Sequence, residues 1–185
     1  MADVILTLLG TDRPGLVEGV ADAVARVGGN WLESRMAHLG GKFAGILRAQ
    51  VPTDALPQLR EALDRMAGDD LTIMFEHDVT TAQGAPQRSL ELELVGLDRP
   101  GIVRDISRVL VTSRANVEEI TTDCSSAPMS GEMLFRARIR AAVPVDTDLA
   151  RLRAELERFA TDLMVELRVI EAVIGGAKVK QEGRG

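Results

Sequence analysis

An internal repeat is the feature that most constrains this chain. The eight residues from Gly10 to Val17, Gly-Thr-Asp-Arg-Pro-Gly-Leu-Val, return from Gly96 as Gly-Leu-Asp-Arg-Pro-Gly-Ile-Val, 86 residues further along. A repeat of this length in 185 residues predicts two small modules rather than one large domain. We predict a first module over residues 1–80, a linker over 81–88, a second module over 89–175 and a flexible tail over 176–185.

The pattern of apolar residues predicts the same order of elements in both modules. In the first, an apolar run over 3–9 ends at a glycine, as a buried strand meeting a turn does, and apolar residues then recur at helical spacing up to Gly28. Two strands joined through Gly40-Gly41, a helix capped by Thr53 and an alternating strand over 71–76 complete it. The second module repeats this order, but its hairpin loop, residues 125–131, carries six inserted residues.

The order strand-helix-strand-strand-helix-strand is that of the ferredoxin-like plan. We therefore predict an α+β fold with two βαββαβ modules in tandem. Each would be an antiparallel four-stranded sheet with both helices on one face. The other face of each sheet then needs cover, from the second module or from a second chain.

The repeated loop has the chemistry of a helix start. Asp12 stands where an N-cap residue would accept hydrogen bonds from the first helical turn, and Pro14 follows where an N–H group is not needed. Gly15 removes a side chain from above exposed N–H groups, so the positive end of the helix dipole could receive a small carboxylate. The alternative is that the loop is only a turn and a cap. Asp98 and Gly101 repeat the pattern in the second module.

Two arginines and two asparagines are further candidates for this site. Arg13 and Arg99 could pair with a carboxylate, although we expect arginines so placed to be solvated. Asn30 and Asn116 each begin the strand after the first helix of their module. Their amides could bond a carboxylate or an ammonium group, but asparagine is equally ordinary turn chemistry at that place.

The loop motif, the order of elements and the asparagine after the first helix together resemble the ACT domain, a family of small regulatory modules that bind amino acids. The resemblance covers both modules. In such proteins the ligand lies at an interface between two modules, beside the loop after the first strand. The resemblance therefore implies ligand contacts from Asp12, Gly15 and Leu16 and from Asp98, Gly101 and Ile102, with Arg13, Arg99, Asn30 and Asn116 as further candidates.

Residues 30–45, which begin Asn-Trp-Leu-Glu-Ser-Arg-Met-Ala, look most like one group of two-module ACT proteins, the glycine cleavage system transcriptional repressors. This resemblance implies a non-catalytic regulator that senses glycine or serine, acts through a partner transcription factor and forms a homo-oligomer, expected as a dimer. Two alternatives stay open. One is a constitutive interaction module without ligand, and the other is direct nucleic-acid binding through Arg136, Arg138 and Arg140, which alternate on one predicted strand.

Composition argues against several other classes. The net charge of −6 and the pI near 5.0 disfavour a protein that holds nucleic acid by neutralising phosphates. Cys124 is the only cysteine, which excludes an internal disulfide, and no secretory signal or membrane span is visible, so we expect a soluble cytoplasmic protein. We predict no catalytic residue, cofactor or metal site, because Cys124 has no counterpart in the repeat and His38 and His77 lie on different predicted strands.

Overall fold

The computed structural model describes residues 1–77, 87–127, 131–163 and 165–172, in two compact units, Met1–Ala82 and Gln83–Gly185. The elements of the first unit are strand β1 (Ala2–Thr11), helix α1 (Leu16–Arg26), strands β2 (Asn30–Leu39) and β3 (Lys42–Val51), helix α2 (Leu56–Met66) and strand β4 (Leu71–His77). Those of the second are strand β5 (Gln87–Leu97), helix α3 (Ile102–Thr112), strands β6 (Asn116–Ser126) and β7 (Met133–Pro144), helix α4 (Leu149–Leu163) and strand β8 (Val165–Ala172).

Each unit is built on a four-stranded antiparallel sheet. The strand orders are β2-β3-β1-β4 and β6-β7-β5-β8, so the first strand of each unit is central and pairs with both the third and the fourth. In β1, alternate residues such as Val4, Leu6 and Leu8 are buried, because successive side chains of a strand point to opposite faces. The predicted α+β fold of two ferredoxin-like modules is confirmed.

One apolar cluster in each unit joins the two helices to a single face of the sheet. In the first unit, Val20 and Val24 of α1 and Leu59 and Leu63 of α2 pack with the buried residues of β1 and β3. In the second unit, α3 and α4 contribute Ile106, Leu110, Leu152 and Leu156 in the same way. The described residues contain no helix long and apolar enough to cross a membrane.

The hairpins account for the difference in length between the units. Gly40 and Gly41 have φ angles of 57° and 77°, which a two-residue hairpin turn requires at both positions. In the second unit β6 continues to Ser126, two residues into the predicted loop, and β7 begins at Met133; residues 128–130 of this loop lie outside the described residues. The strand pairs β2-β3 and β6-β7 have the same register up to their connecting loops. The six inserted residues of the second unit therefore fall in this hairpin.

Two predicted boundaries are wrong. Thr53 does not cap α2, because it opens a 3₁₀ turn that a hydrogen bond from Ala55 N to Pro52 O closes, and α2 then begins with Ala55 at its N-cap. Strand β5 begins at Gln87 and so includes the last two residues of the predicted linker. These two residues pair with β7 through their backbone, and backbone pairing does not require apolar side chains. Linker residues 81–86 and the predicted tail 176–185 lie outside the described residues.

Gly28, which follows α1, and Gly68, which follows α2, predict opposite effects when each is replaced by alanine. Gly28 adopts φ 71° after α1, in the left-handed region that costs other residues roughly 1–2 kcal/mol. We expect Gly28→Ala to lower the free energy of unfolding by about 1 kcal/mol in urea denaturation. Gly68 is not left-handed and has nothing within 4 Å of an added methyl group, so Gly68→Ala should raise that free energy by about 0.5 kcal/mol. Equal changes in both variants would contradict this interpretation.

Candidate functional site

The repeated loop joins the first strand of each unit to its first helix, at one end of the sheet. In the first unit, Asp12 N donates to Gly41 O over 3.0 Å, which ties the loop to the neighbouring hairpin. Gly15 O then accepts the first helical hydrogen bond, from Gly19 N over 2.9 Å. The second unit makes both bonds at equivalent positions, so the two loops share one backbone geometry.

The N-cap residues are the glycines and not the aspartates. Gly15 has φ 88° and Gly101 has φ 93°, and neither α1 nor α3 has a side-chain cap. The predictions that Asp12 caps α1 and that Pro14 lies just inside the helix are therefore wrong. The chain turns from strand into helix through a left-handed residue, a conformation that a side chain disfavours. This backbone requirement accounts for both glycines without any ligand.

The loop aspartates lie beside the edge strand of the sheet. Asp12 Oδ2 is 3.7 Å from Nε2 of His38, on β2. The equivalent residue on β6 is Cys124, and the carboxylate of Asp98 is close enough to raise the pKa of its thiol. Cys124 therefore does have a counterpart in the repeat, which is a histidine. The sequence already contains the signal for this equivalence, because His38 and Cys124 are 86 positions apart, as the two loops are.

The environment of Cys124 makes its thiol a weak nucleophile. Partial desolvation of the sulfur and the neighbouring Asp98 carboxylate raise the pKa of this thiol, although the residue is exposed. A catalytic cysteine requires the opposite shift, because the thiolate is the reactive form. Throughout the part of the chain that the structure describes, no three His, Cys, Asp or Glu residues form a group that could bind a metal.

Four predicted ligand residues lie away from the loop surface. The side chains of Leu16 and Ile102 belong to the two cores, where these residues are 5% and 2% exposed. Asn30 pairs with Gln50, eight residues along β3 from the end beside the loop, a span of about 26 Å. Asn116 has the same place in the second sheet. Within one unit, neither asparagine comes together with the loop residues.

The side chains above the two helix starts carry opposite charges. Glu18 Oε2 lies 4.0 Å from the position that a Cβ on Gly15 would occupy. The equivalent residue in the second unit is Arg104, and its Nη2 lies 2.9 Å from the corresponding position on Gly101. Both helix starts offer a carboxylate ligand the positive end of a helix dipole, but the charge of Glu18 opposes this attraction in the first unit and that of Arg104 adds to it in the second.

The loop arginines differ as well. Arg13 is exposed, whereas the side chain of Arg99 is 39% exposed and therefore partly withdrawn from solvent. Arg99 Nη2 lies 3.6 Å from Asp105 Oδ2, beyond hydrogen-bond length, and both Nη2 and Nε are buried without a hydrogen-bond partner. Buried donors of this kind carry a desolvation cost that an anion would relieve.

Three guanidinium groups surround the single carboxylate of Asp105. The hydrogen bond from Arg104 Nε, at 2.8 Å, lowers the pKa of Asp105 most strongly, and the charges of Arg104, Arg99 and Arg108 add to the effect. One carboxylate shared among three cations leaves an excess of positive charge at the start of α3.

The three alternating arginines of β7 do not form a free cationic surface. Arg136 Nη1 lies 3.6 Å from Asp123 Oδ2, and Arg138 Nε lies 3.1 Å from Glu93 Oε1. Arg140 is paired with both Glu118 and Glu119. Because carboxylates on the neighbouring strands already neutralise these charges, the face lacks the excess that phosphate binding requires.

The comparison with known protein families gives one match, and it occurs twice. Residues 2–76 and residues 90–170 each match the ACT domain family. The two matched segments together cover most of the chain and lie in different structural units.

Several known proteins are similar to this chain over most of its length. The glycine cleavage system transcriptional repressor of Escherichia coli K12 is 24% identical over 161 residues, which cover 86% of this chain and 84% of that protein. A solved structure of an unknown protein from Galdieria sulphuraria is 28% identical and superimposes with a TM-score of 0.81, over 93% of this chain and 99% of that one. The structure of a provisionally assigned glycine cleavage system transcriptional repressor, at 18% identity and TM-score 0.65, covers 93% and 98% and shows the same fold.

The contact between Cys124 and Asp98 predicts how the thiol titrates. Because the Asp98 carboxylate raises the thiol pKa, Asp98→Asn should move the midpoint of the pH profile for alkylation by iodoacetamide to lower pH. The rate can be followed by mass spectrometry, since the chain has one cysteine. Asp12→Asn, the equivalent change in the first loop, should leave the profile unchanged. Identical profiles for all three proteins would mean that Asp98 does not control the thiol.

Proposed function

The chain belongs to the ACT domain family, and on this premise we propose that it is a non-catalytic regulatory protein that senses a small amino acid. Support comes from two ACT modules in one chain and from a relative of nearly the same extent that is named as a transcriptional repressor. The raised pKa of the Cys124 thiol, the only one in the chain, agrees with a protein that does no covalent chemistry.

The proposed effector is glycine or serine. The E. coli relative is named for its repression of the glycine cleavage system, and serine is the next smallest polar amino acid. Both molecules present a carboxylate and an ammonium group a few ångströms apart. A site for them needs a cation, an anion and little space for a side chain.

We place the effector at the loop of the second unit. The observation that carries this choice is Arg99, whose buried Nε and Nη2 donors have no hydrogen-bond partner. They would bind the carboxylate of the amino acid, and Asp98 would bind its ammonium group. In the first unit the equivalent Arg13 is exposed and Glu18 lies above the helix start, so the same loop geometry offers a carboxylate no comparable attraction.

We propose that the regulator acts through a partner transcription factor and not by holding DNA itself. The paired arginines of β7 and the net charge of −6 support this assignment. For the effector to regulate, it must bind the free and the partner-bound protein unequally, by roughly 1–3 kcal/mol in typical cases. We also expect the regulator to form a homodimer.

Isothermal titration with glycine, serine and a panel of other amino acids tests the effector site. We expect saturable heat with glycine or serine for the wild type, and at least tenfold weaker binding for Arg99→Gln, since glutamine removes the cation that the carboxylate needs. Arg13→Gln, the same change in the other loop, is the matched control and should bind as the wild type does. A rise in melting temperature with the bound amino acid would give independent evidence.

Each other result of the titration has a definite meaning. Silence across the whole panel would contradict the sensor and favour a constitutive interaction module that kept the fold without a ligand. Binding that Arg13→Gln abolishes and Arg99→Gln preserves would move the effector to the first unit. Far-ultraviolet circular dichroism of both variants would show whether a loss of binding comes from a loss of fold.

A further inference from the structure

Asp105 lies in the first turn of α3, shortly after the repeated loop of the second unit. Its backbone N–H donates the first helical hydrogen bond, to Gly101 O over 2.9 Å. The carboxylate is 24% exposed, and its two oxygens face different arginines. Oδ1 accepts a hydrogen bond from Arg104 Nε over 2.8 Å, and Oδ2 lies 3.6 Å from Arg99 Nη2. One carboxylate is therefore shared by two arginines beside the helix start.

This sharing affects where the two guanidinium groups lie. Arg104 uses Nε for the bond to Asp105, and its Nη2 lies 2.9 Å from the position of a Cβ on Gly101, above the start of the helix. Arg99 lies by the same helical turn, where its Nε and Nη2 are buried without a hydrogen-bond partner. An arginine side chain has many rotamers, so a fixed neighbour of opposite charge is needed to hold it in one of them.

The first unit provides a comparison within the same chain. The position equivalent to Asp105, 86 residues earlier, is Gly19. The first loop therefore keeps its arginine, Arg13, but has no side chain at the position from which Asp105 faces Arg99. Arg13 is exposed, whereas Arg99 is partly withdrawn from solvent and has two buried donors. Burial of the loop arginine thus goes together with the carboxylate on the helix.

We propose that Asp105 is a positioning residue that holds Arg99 and Arg104 at the start of α3, where both bind the carboxylate of the effector. This inference rests on the proposed function, because it takes the second loop as the effector site. It adds Arg104 as a second cation of that site, and Asp105 acts through the two arginines without touching the ligand. A carboxylate has two acceptor oxygens, so two guanidinium groups can donate to it at once.

Two simpler roles for Asp105 predict different results. An acidic residue in the first turn of a helix interacts favourably with the helix dipole, so its loss would lower stability without changing the affinity for the effector. A carboxylate beside an anion site would repel the carboxylate of the ligand, so its loss would tighten binding. A positioning role predicts the opposite sign, because removal of this negative charge then weakens the binding of a carboxylate.

Isothermal titration with glycine and serine measures this sign in Asp105→Asn, Asp105→Glu and the wild type. We expect about tenfold weaker binding for Asp105→Asn, since both arginines lose the anion that orients them. Asp105→Glu keeps the charge and should bind within about threefold of the wild type. Glu155→Gln is the matched control, because Glu155 is 21% exposed and pairs with Arg151 over 3.1 Å on α4. It should bind as the wild type does.

A second measurement follows Arg99 without any effector. Its buried Nε–H should give a resonance in ¹H–¹⁵N spectra whose proton exchanges slowly with water, and Arg99→Lys identifies that resonance by its absence. In Asp105→Asn the proton should exchange about tenfold faster, and in Glu155→Gln its rate should not change. Circular dichroism and melting temperature show whether each variant is folded.

Two results would overturn the positioning role. Unchanged or tighter binding by Asp105→Asn would show that this carboxylate does not support the site. An Arg99 Nε proton that stays protected in the same variant would show that other groups hold Arg99. If the wild type binds neither amino acid and the proton still loses its protection in Asp105→Asn, the hold on Arg99 stands and the effector assignment fails. The two proposals are therefore distinguishable.

Discussion

The turn from the first strand into the first helix is the constraint on which each unit depends. The strand is one of the two inner strands of its sheet, and the helix must return along one face of that sheet to cover the apolar side chains. A residue in the left-handed region makes this reversal, at Gly15 and at Gly101. The same turn leaves the loop side chains at the end of the sheet, beside the edge strand and above the helix start. The same left-handed turn therefore determines both the fold of the unit and the position of the candidate site.

The repeat preserves backbone geometry and changes charge. Both loops make the same hydrogen bonds, yet Glu18 in one unit stands where Arg104 does in the other, and His38 stands where Cys124 does. Electrostatic energies depend on side chains that the backbone does not specify, so two copies of one module can have different roles. We assign the effector to the second loop for this reason.

A regulator of this kind needs little besides differential binding. Carboxylates already pair with the arginines of β7, and partial desolvation together with the Asp98 carboxylate raises the pKa of the Cys124 thiol. Arg99, in contrast, has two buried guanidinium donors without a hydrogen-bond partner. A guanidinium in this setting suits a small carboxylate, which supports the effector that we propose.

The sequence by itself determined the repeat, the order of elements and the fold, because apolar periodicity and glycine turns are local patterns and each copy contains them. Tertiary structure alone decided which residues share a site. Asp12 and Asn30 are both near α1 in sequence, but an extended strand places them at opposite ends of the sheet. Asp12 resembles an N-cap in sequence, yet the φ angle of Gly15 makes the glycine the cap. The burial of Arg99 depends on neighbours that only the fold assembles, and no spacing in the sequence records it.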